Sequence, residues 1–257
     1  MHPAQYENFL AQLQDRLESD PRVHGLILLG STADSTLRDD LSDHDFWVIA
    51  ELSALPDYLG NTEWLPGASE ILFAIRHGAM RRTVIYRDRH KAEYAVFDPE
   101  RARSGKIERF RVVLDRGGIT ELAEEIRQSS LTHVPESGET PVSIENFYVL
   151  ALTGTERAQR GEILSAHRYV HAATDVLLQL LERSRALAVA DPLDSRRRLE
   201  QRAPEIADAL SRVMSLPPRN AITELVRIAE NSLPRDLLAT ASARIDPIRA
   251  WLHDDLK

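Results

Sequence analysis

Strand-like and helix-like sequence are segregated along this chain, and the change comes near residue 118 of 257. Before it, residues 23–29, 45–50, 71–76, 82–86, 92–97 and 110–114 are short β-branched or aromatic runs separated by turn residues, the length and composition of strands. Residues 4–18, with Phe9, Leu10, Leu13 and Leu17 at helical spacing, predict a helix ahead of the first strand. The Arg-Asp-Arg-His-Lys stretch at 87–91 reads as a hairpin turn. After residue 118 long helical periods take over, in 120–128, 143–157, 161–183, 194–214, 218–232 and 235–257. Within 161–183, Ile163, Ala166, Val170, Ala173, Val176, Leu177, Leu180 and Leu181 form an apolar stripe that predicts packing against other helices. Residues 131–143, with two Pro and a Gly, predict a loop between the halves. The expected architecture is α+β: a mixed-sheet domain over 1–118, then an α-helical bundle domain over 119–257.

Composition narrows the chemistry. With 43% hydrophobic and 28% charged residues the chain can bury a sizeable core. A net charge of −8 argues against a surface built for nucleic-acid backbones. Of the 32 cations only Lys91, Lys106 and Lys257 are lysines, so phosphate contacts would fall mainly to guanidinium groups. The absence of Cys excludes disulfides, a thiolate nucleophile and Cys-ligated zinc. The amphipathic, acidic first twenty residues lack the basic start of a secretion signal, and no apolar run reaches the roughly 18 to 20 residues of a membrane span, so a cytoplasmic protein without a membrane partner is expected.

Residues 23–50 carry the chemistry. A buried strand ends at Leu29, Gly30 permits a tight turn, and Ser31 and Thr32 follow where a helix can begin, an arrangement that suits phosphate. Asp43 and Asp45 then stand at the head of an apolar run, on one face because strand side chains alternate. Carboxylates that close repel unless a divalent cation lies between them, and oxygen-only ligands favour magnesium shared with substrate phosphates. Glu93, inside an otherwise apolar run, is the candidate third carboxylate; it converges with the aspartates if its face of the sheet is theirs.

Gly30-Ser31, Asp43-x-Asp45 and a carboxylate in a later strand resemble the nucleotidyltransferase superfamily fold of DNA polymerase β. The antibiotic nucleotidyltransferases are similar, the lincosamide enzymes most, with the streptomycin adenylyltransferases as relatives. Supporting segments are 83–97 with Glu93, 111–118 ending Asp-Arg-Gly-Gly, and 145–170 with Asn146-Phe147 and Arg160-Gly161-Glu162. The resemblance covers roughly residues 20 to 185. It implies magnesium-dependent transfer of a nucleoside monophosphate, AMP from ATP or another nucleoside triphosphate, to a hydroxyl of a small molecule such as a lincosamide or aminoglycoside. Asp43 and Asp45, with Glu93, would hold the metal, and Glu93 would take the acceptor's proton. Gly30, Ser31, Thr32, Ser42 and Arg160, with Arg168 a further candidate, would contact the nucleotide, and a homodimer is the family's habit. The helical domain would complete the site, although Glu156 stands where the streptomycin relatives carry a Lys. The alternatives are a nucleotidyltransferase acting on protein or RNA, as toxin and antitoxin relatives do, and a non-catalytic nucleotide-binding module.

Other features have plainer readings. Asp115 reads equally as a turn former or a site residue. His167 and His171 have the spacing of a zinc pair but no third ligand. Arg196-Arg197-Arg198 reads as a solvated helix face. Trp47 and Trp64 are expected in the core. Arg76, Arg81, Arg82, Arg87, Arg89 and Lys91 read as a charged guard on a sheet edge.

Overall fold

A computed structural model of the chain describes residues 3–130, 141–184, 196 and 198–255. It is an α+β structure of two compact units, Met1–Glu139 and Thr140–Lys257. The first unit runs α1 (Pro3–Ser19), β1 (Val23–Leu29), α2 (Gly30–Ala33), β2 (His44–Ala50), α3 (Leu55–Gly60), β3 (Ile71–His77), β4 (Arg81–Tyr86), β5 (Lys91–Phe97), α4 (Pro99–Ala102), β6 (Phe110–Asp115) and α5 (Ile119–Ser130). All six strands fall where the β-branched runs predict them, and the turn between β4 and β5 makes the expected hairpin, with Arg89 at φ 72°. The short helices α2, α3 and α4 are too brief for periodicity to reveal.

The six strands form one mixed sheet in the order β3-β4-β5-β2-β1-β6. β2 and β5 are parallel neighbours, while β1 is antiparallel to both β2 and β6, and β4 to both β3 and β5. Strand alternation sends two apolar sets to opposite faces. Leu26, Leu28, Phe46, Val48, Tyr94 and Val96 pack with Phe9, Leu10, Leu13 and Leu17 of α1 and with Leu55 and Tyr58 of α3. Ile27, Trp47, Ile49, Ala95 and Phe97 face the other way, against Ile119, Leu122, Ala123 and Ile126 of α5. Gly25 makes the α5 contact possible: a β-carbon on it would fall 2.6 Å from Ile119 Cγ2. Strand-forming sequence ends near 118, yet α5 packs on β1 and β6 and is counted with the sheet.

The second unit is helical: α6 (Ile144–Gln159), α7 (Ile163–Arg183), α8 (Leu199–Arg202), α9 (Pro204–Met214), α10 (Pro218–Ser232) and α11 (Arg235–Asp255). α6 is central and packs against α7, α10 and α11. The stripe on α7 is buried from Ala166 to Leu181, but Ile163 at its start is 47% exposed. The continuous helix expected over 194–214 is broken at Ala203, because Pro204 has no N–H to continue it and starts a new helix instead. Most of the expected 131–143 loop lies outside the described residues, as does Arg197.

Candidate active site

The parallel register of β2 and β5 sets Asp45 opposite Glu93, with His44 opposite Ala92 and Phe46 opposite Tyr94. Both acidic residues are half-buried on the α5 face, below the buried pairs Trp47/Ala95 and Ile49/Phe97. The face is fixed by the residue between the aspartates. His44 is fully buried on the opposite side, its ring stacked 3.6 Å from that of Tyr6 and 4.3 Å from that of Phe9. Its Nε2 donates to the Tyr6 carbonyl at 3.1 Å, which leaves Nδ1 to accept from His90 Nε2 at 2.6 Å. Burial pushes His44 down to about 2 and His90 down to about 4, so both rings are neutral. No local sequence motif marks these two histidines, although a polar ring alternating with two aspartates needs a buried partner.

A second clasp holds the backbone that carries the aspartates. The Tyr6 hydroxyl donates to the Asp43 carbonyl at 2.7 Å and lies 2.9 Å from Thr32 Oγ1. Thr32 Oγ1 accepts from the Asp45 N–H at 2.8 Å and reaches the same carbonyl at 3.1 Å. Thr32 is 0% exposed, so its expected phosphate contact is corrected: the hydroxyl is turned inward and fastens α2 to β2. The Ser42 hydroxyl accepts from the Asp39 N–H at 2.9 Å and donates to Asp39 Oδ1 at 3.0 Å, closing a turn. Gly30 adopts φ +52° and gives its N–H to the Arg109 carbonyl at 3.2 Å. A β-carbon on Gly30 would sit 3.7 Å from Asp45 Oδ2, so the glycine-serine turn lies against that carboxylate, with half-buried Ser31 next in the chain.

Asp43 has a different neighbour from the one expected. Lys91 Nζ lies 2.9 Å from its Oδ2, and the lysine is only 6% exposed. Lys91 is therefore no guard of a sheet edge, and neither is Arg82, which is buried and donates to the Leu59 and Arg81 carbonyls at 3.0 and 2.8 Å. Among the described residues, no three His, Cys, Asp or Glu side chains are grouped so as to hold a metal ion. The expected three-carboxylate cluster is thus corrected to an adjacent pair, Asp45 and Glu93, beside a third carboxylate matched by an ammonium. By chemistry the pair still fits a hard cation, because magnesium is commonly held by one or two carboxylates together with substrate phosphates.

No family model matches the chain, and no curated protein matches it. Among solved structures it is similar to a nucleotidyltransferase-like protein from Exiguobacterium sibiricum 255-15, at 12% identity and a TM-score of 0.27, over 96% of this chain and 80% of that one.

The remaining candidates resolve locally. Asp115 is a turn former and helix cap: its carboxylate accepts from the N–H groups of Gly117, Ile119 and Thr120, and the Thr120 hydroxyl bond leads the causes that hold it at about 2. Trp47 is in the core against Gly105, and Trp64 is packed with Phe46, Tyr58 and Tyr94. His171 takes a contact from Arg196, whose guanidinium also pairs with Asp175 at 2.7 Å, so that arginine ties down α7 rather than forming a free basic face. Arg160 ends α6 and Arg168 is exposed on α7, both in the second unit. No helix among the described residues is long and apolar enough to cross a membrane.

Proposed function

We propose that the chain is a nucleotidyltransferase that moves a nucleoside monophosphate, AMP from ATP, onto a hydroxyl of a small molecule, with lincosamide and aminoglycoside antibiotics the first acceptors to test. The observation that carries this reading is the register of Asp45 against Glu93 beside the Gly30-Ser31 turn. Two half-buried carboxylates next to a turn with φ > 0 suit a triphosphate and its counter-ion better than they suit any packing role. Asp43 is met by Lys91, and Asp45 and Glu93 beside it are the residues that would hold magnesium. Bound there, it would neutralise the phosphate oxygens and the charge that develops in transfer.

In this reading Ser31 binds the outer phosphates and Glu93 Oε accepts the proton of the attacking hydroxyl, a role typically worth about 10² to 10⁴ in rate. The acceptor oxygen bonds to the α-phosphorus, the bond to the β-phosphate oxygen breaks, and pyrophosphate leaves. His44, Tyr6 and Thr32 act through the backbone, fixing where Asp43 and Asp45 stand.

Thermal unfolding with ATP, magnesium, both or neither tests the proposal. At a ligand concentration 100 times Kd the native state gains about 2.7 kcal/mol, a readable shift. The wild type is expected to respond to the two together and Asp45→Asn to neither. The Lys91–Asp43 pair, which meets one acidic charge without metal, favours as second reading a non-catalytic nucleotide-binding module. Such a module would answer to ATP alone. Acceptors are then screened with labelled nucleotide by following pyrophosphate release.

A further inference from the structure

Lys91 is one of three lysines in a chain with 32 cations, and it is buried to 6% exposure on the strand that carries Glu93. It precedes Glu93 by two residues and so shares its face. Two residues ahead of the Asp45–Glu93 pair along the chain, its ammonium meets Asp43 Oδ2 at 2.9 Å. A buried ammonium requires such a partner, and here the partner is the carboxylate beside the Asp45–Glu93 pair. A lysine suits the place. Its slim stem can run along the sheet, where Ile85 of β4 is its registered neighbour, and end in a compact point charge instead of a planar fork.

We propose, building on the nucleotidyl-transfer reading, that Lys91 stands in for a second metal ion: the site takes a single divalent cation on Asp45 and Glu93, and the ammonium meets the charge of Asp43. A second divalent ion on Asp43 would be repelled by the ammonium already there. Removing the lysine charge opens Asp43 to metal.

The experiment counts Mn²⁺ by the loss of its free electron paramagnetic resonance signal, on the full chain, with and without α,β-methylene ATP. Wild type, Lys91→Met and Lys91→Arg are compared. Met keeps the stem and removes the charge, whereas Arg keeps the charge. Wild type and Lys91→Arg are expected to hold one Mn²⁺ per chain at saturation with the analogue, and Lys91→Met two. Without nucleotide, Lys91→Met should bind Mn²⁺ at least ten-fold more tightly than wild type. Two ions in wild type would overturn the assignment while leaving nucleotidyl transfer intact. So would a Lys91→Met protein whose count and affinity are unchanged. Should Lys91→Met fail to fold, the wild-type count decides alone. If the analogue binds neither protein, the nucleotidyl-transfer reading falls, and the Mn²⁺ affinities without nucleotide still decide for or against Lys91.

Discussion

Asp45 and Glu93 face each other across the parallel pairing of β2 with β5. Like charges set directly opposite on a sheet are unfavourable, by roughly 0.2 to 1 kcal/mol. The strands nevertheless hold this register because the next residues on the same face, Trp47, Ile49, Ala95 and Phe97, are buried, each large one contributing about 1.5 to 3 kcal/mol. A slip of one residue would turn that whole set to the wrong side. Burial of the apolar rows therefore outweighs the repulsion and keeps the two carboxylates side by side.

Glu93→Gln should consequently move stability and activity in opposite directions. Relieving the like-charge pair is expected to leave the fold unchanged or raise its stability by up to about 1 kcal/mol in urea denaturation. Nucleotide transfer, followed by pyrophosphate release with a competent acceptor, should fall by about 10² or more. Transfer at the wild-type rate would remove Glu93 as the base.

The Thr32 hydroxyl joins α2, α1 and β2 in the interior, so Thr32→Val should act on the fold first. It leaves the Asp45 N–H without its acceptor and removes one partner of Tyr6, a loss of about 1 to 3 kcal/mol. Tyr6→Phe removes the donor to the Asp43 carbonyl and should cost about the same. Chemical denaturation measures both. A Thr32→Val protein as stable as wild type but unable to respond to nucleotide would return that hydroxyl to the phosphates.

What was legible in the sequence follows from how local each feature is. Strand alternation set Asp43 and Asp45 on one face, and only the register, which depends on non-local pairing, brought Glu93 alongside Asp45. Thr32 and Ser42 suit phosphate by sequence because a hydroxyl near a turn is equally at home inside or outside. Their partners, Tyr6 and Asp39, are decided by tertiary packing and by a local turn. Lys91 reads as a surface charge by sequence, since composition gives no sign that an ammonium is buried against Asp43. The break at Ala203 was legible from Pro204, whose effect on a helix is local, but helical periodicity alone passed over it.

Helical glycine to alanine exchanges usually stabilise by about 1 kcal/mol, and Gly154 in α6 should do the reverse. A β-carbon there would lie 3.0 Å from Ile222 Cδ1 and 3.1 Å from Tyr169 Cβ. The tyrosine contact is with an atom fixed to the α7 backbone, so α6 and α7 would have to separate. Gly154→Ala is expected to lower stability by about 1 to 3 kcal/mol, the range for overpacking. A melting temperature above that of wild type would show that the helices yield without loss.

The buried histidines give the chain a pH dependence of definite sign. Burial holds His77 and His90 at about 4 and His44 at about 2, all below the value near 6.5 of the unfolded chain. Below pH 6.5 the unfolded state therefore binds more protons than the folded one. Stability is fully present above that pH and is lost as pH falls toward 4, with His44 continuing the loss to about 2. Asp20 and Asp115, held at about 2 chiefly by their hydrogen bonds to Arg22 and Thr120, lose their contributions only below pH 4, so the histidine window is separate. Urea midpoints should fall steadily between pH 7 and pH 5, and His77→Asn should flatten part of that slope. A midpoint constant over the range would mean that the rings are solvated or already charged in the folded protein.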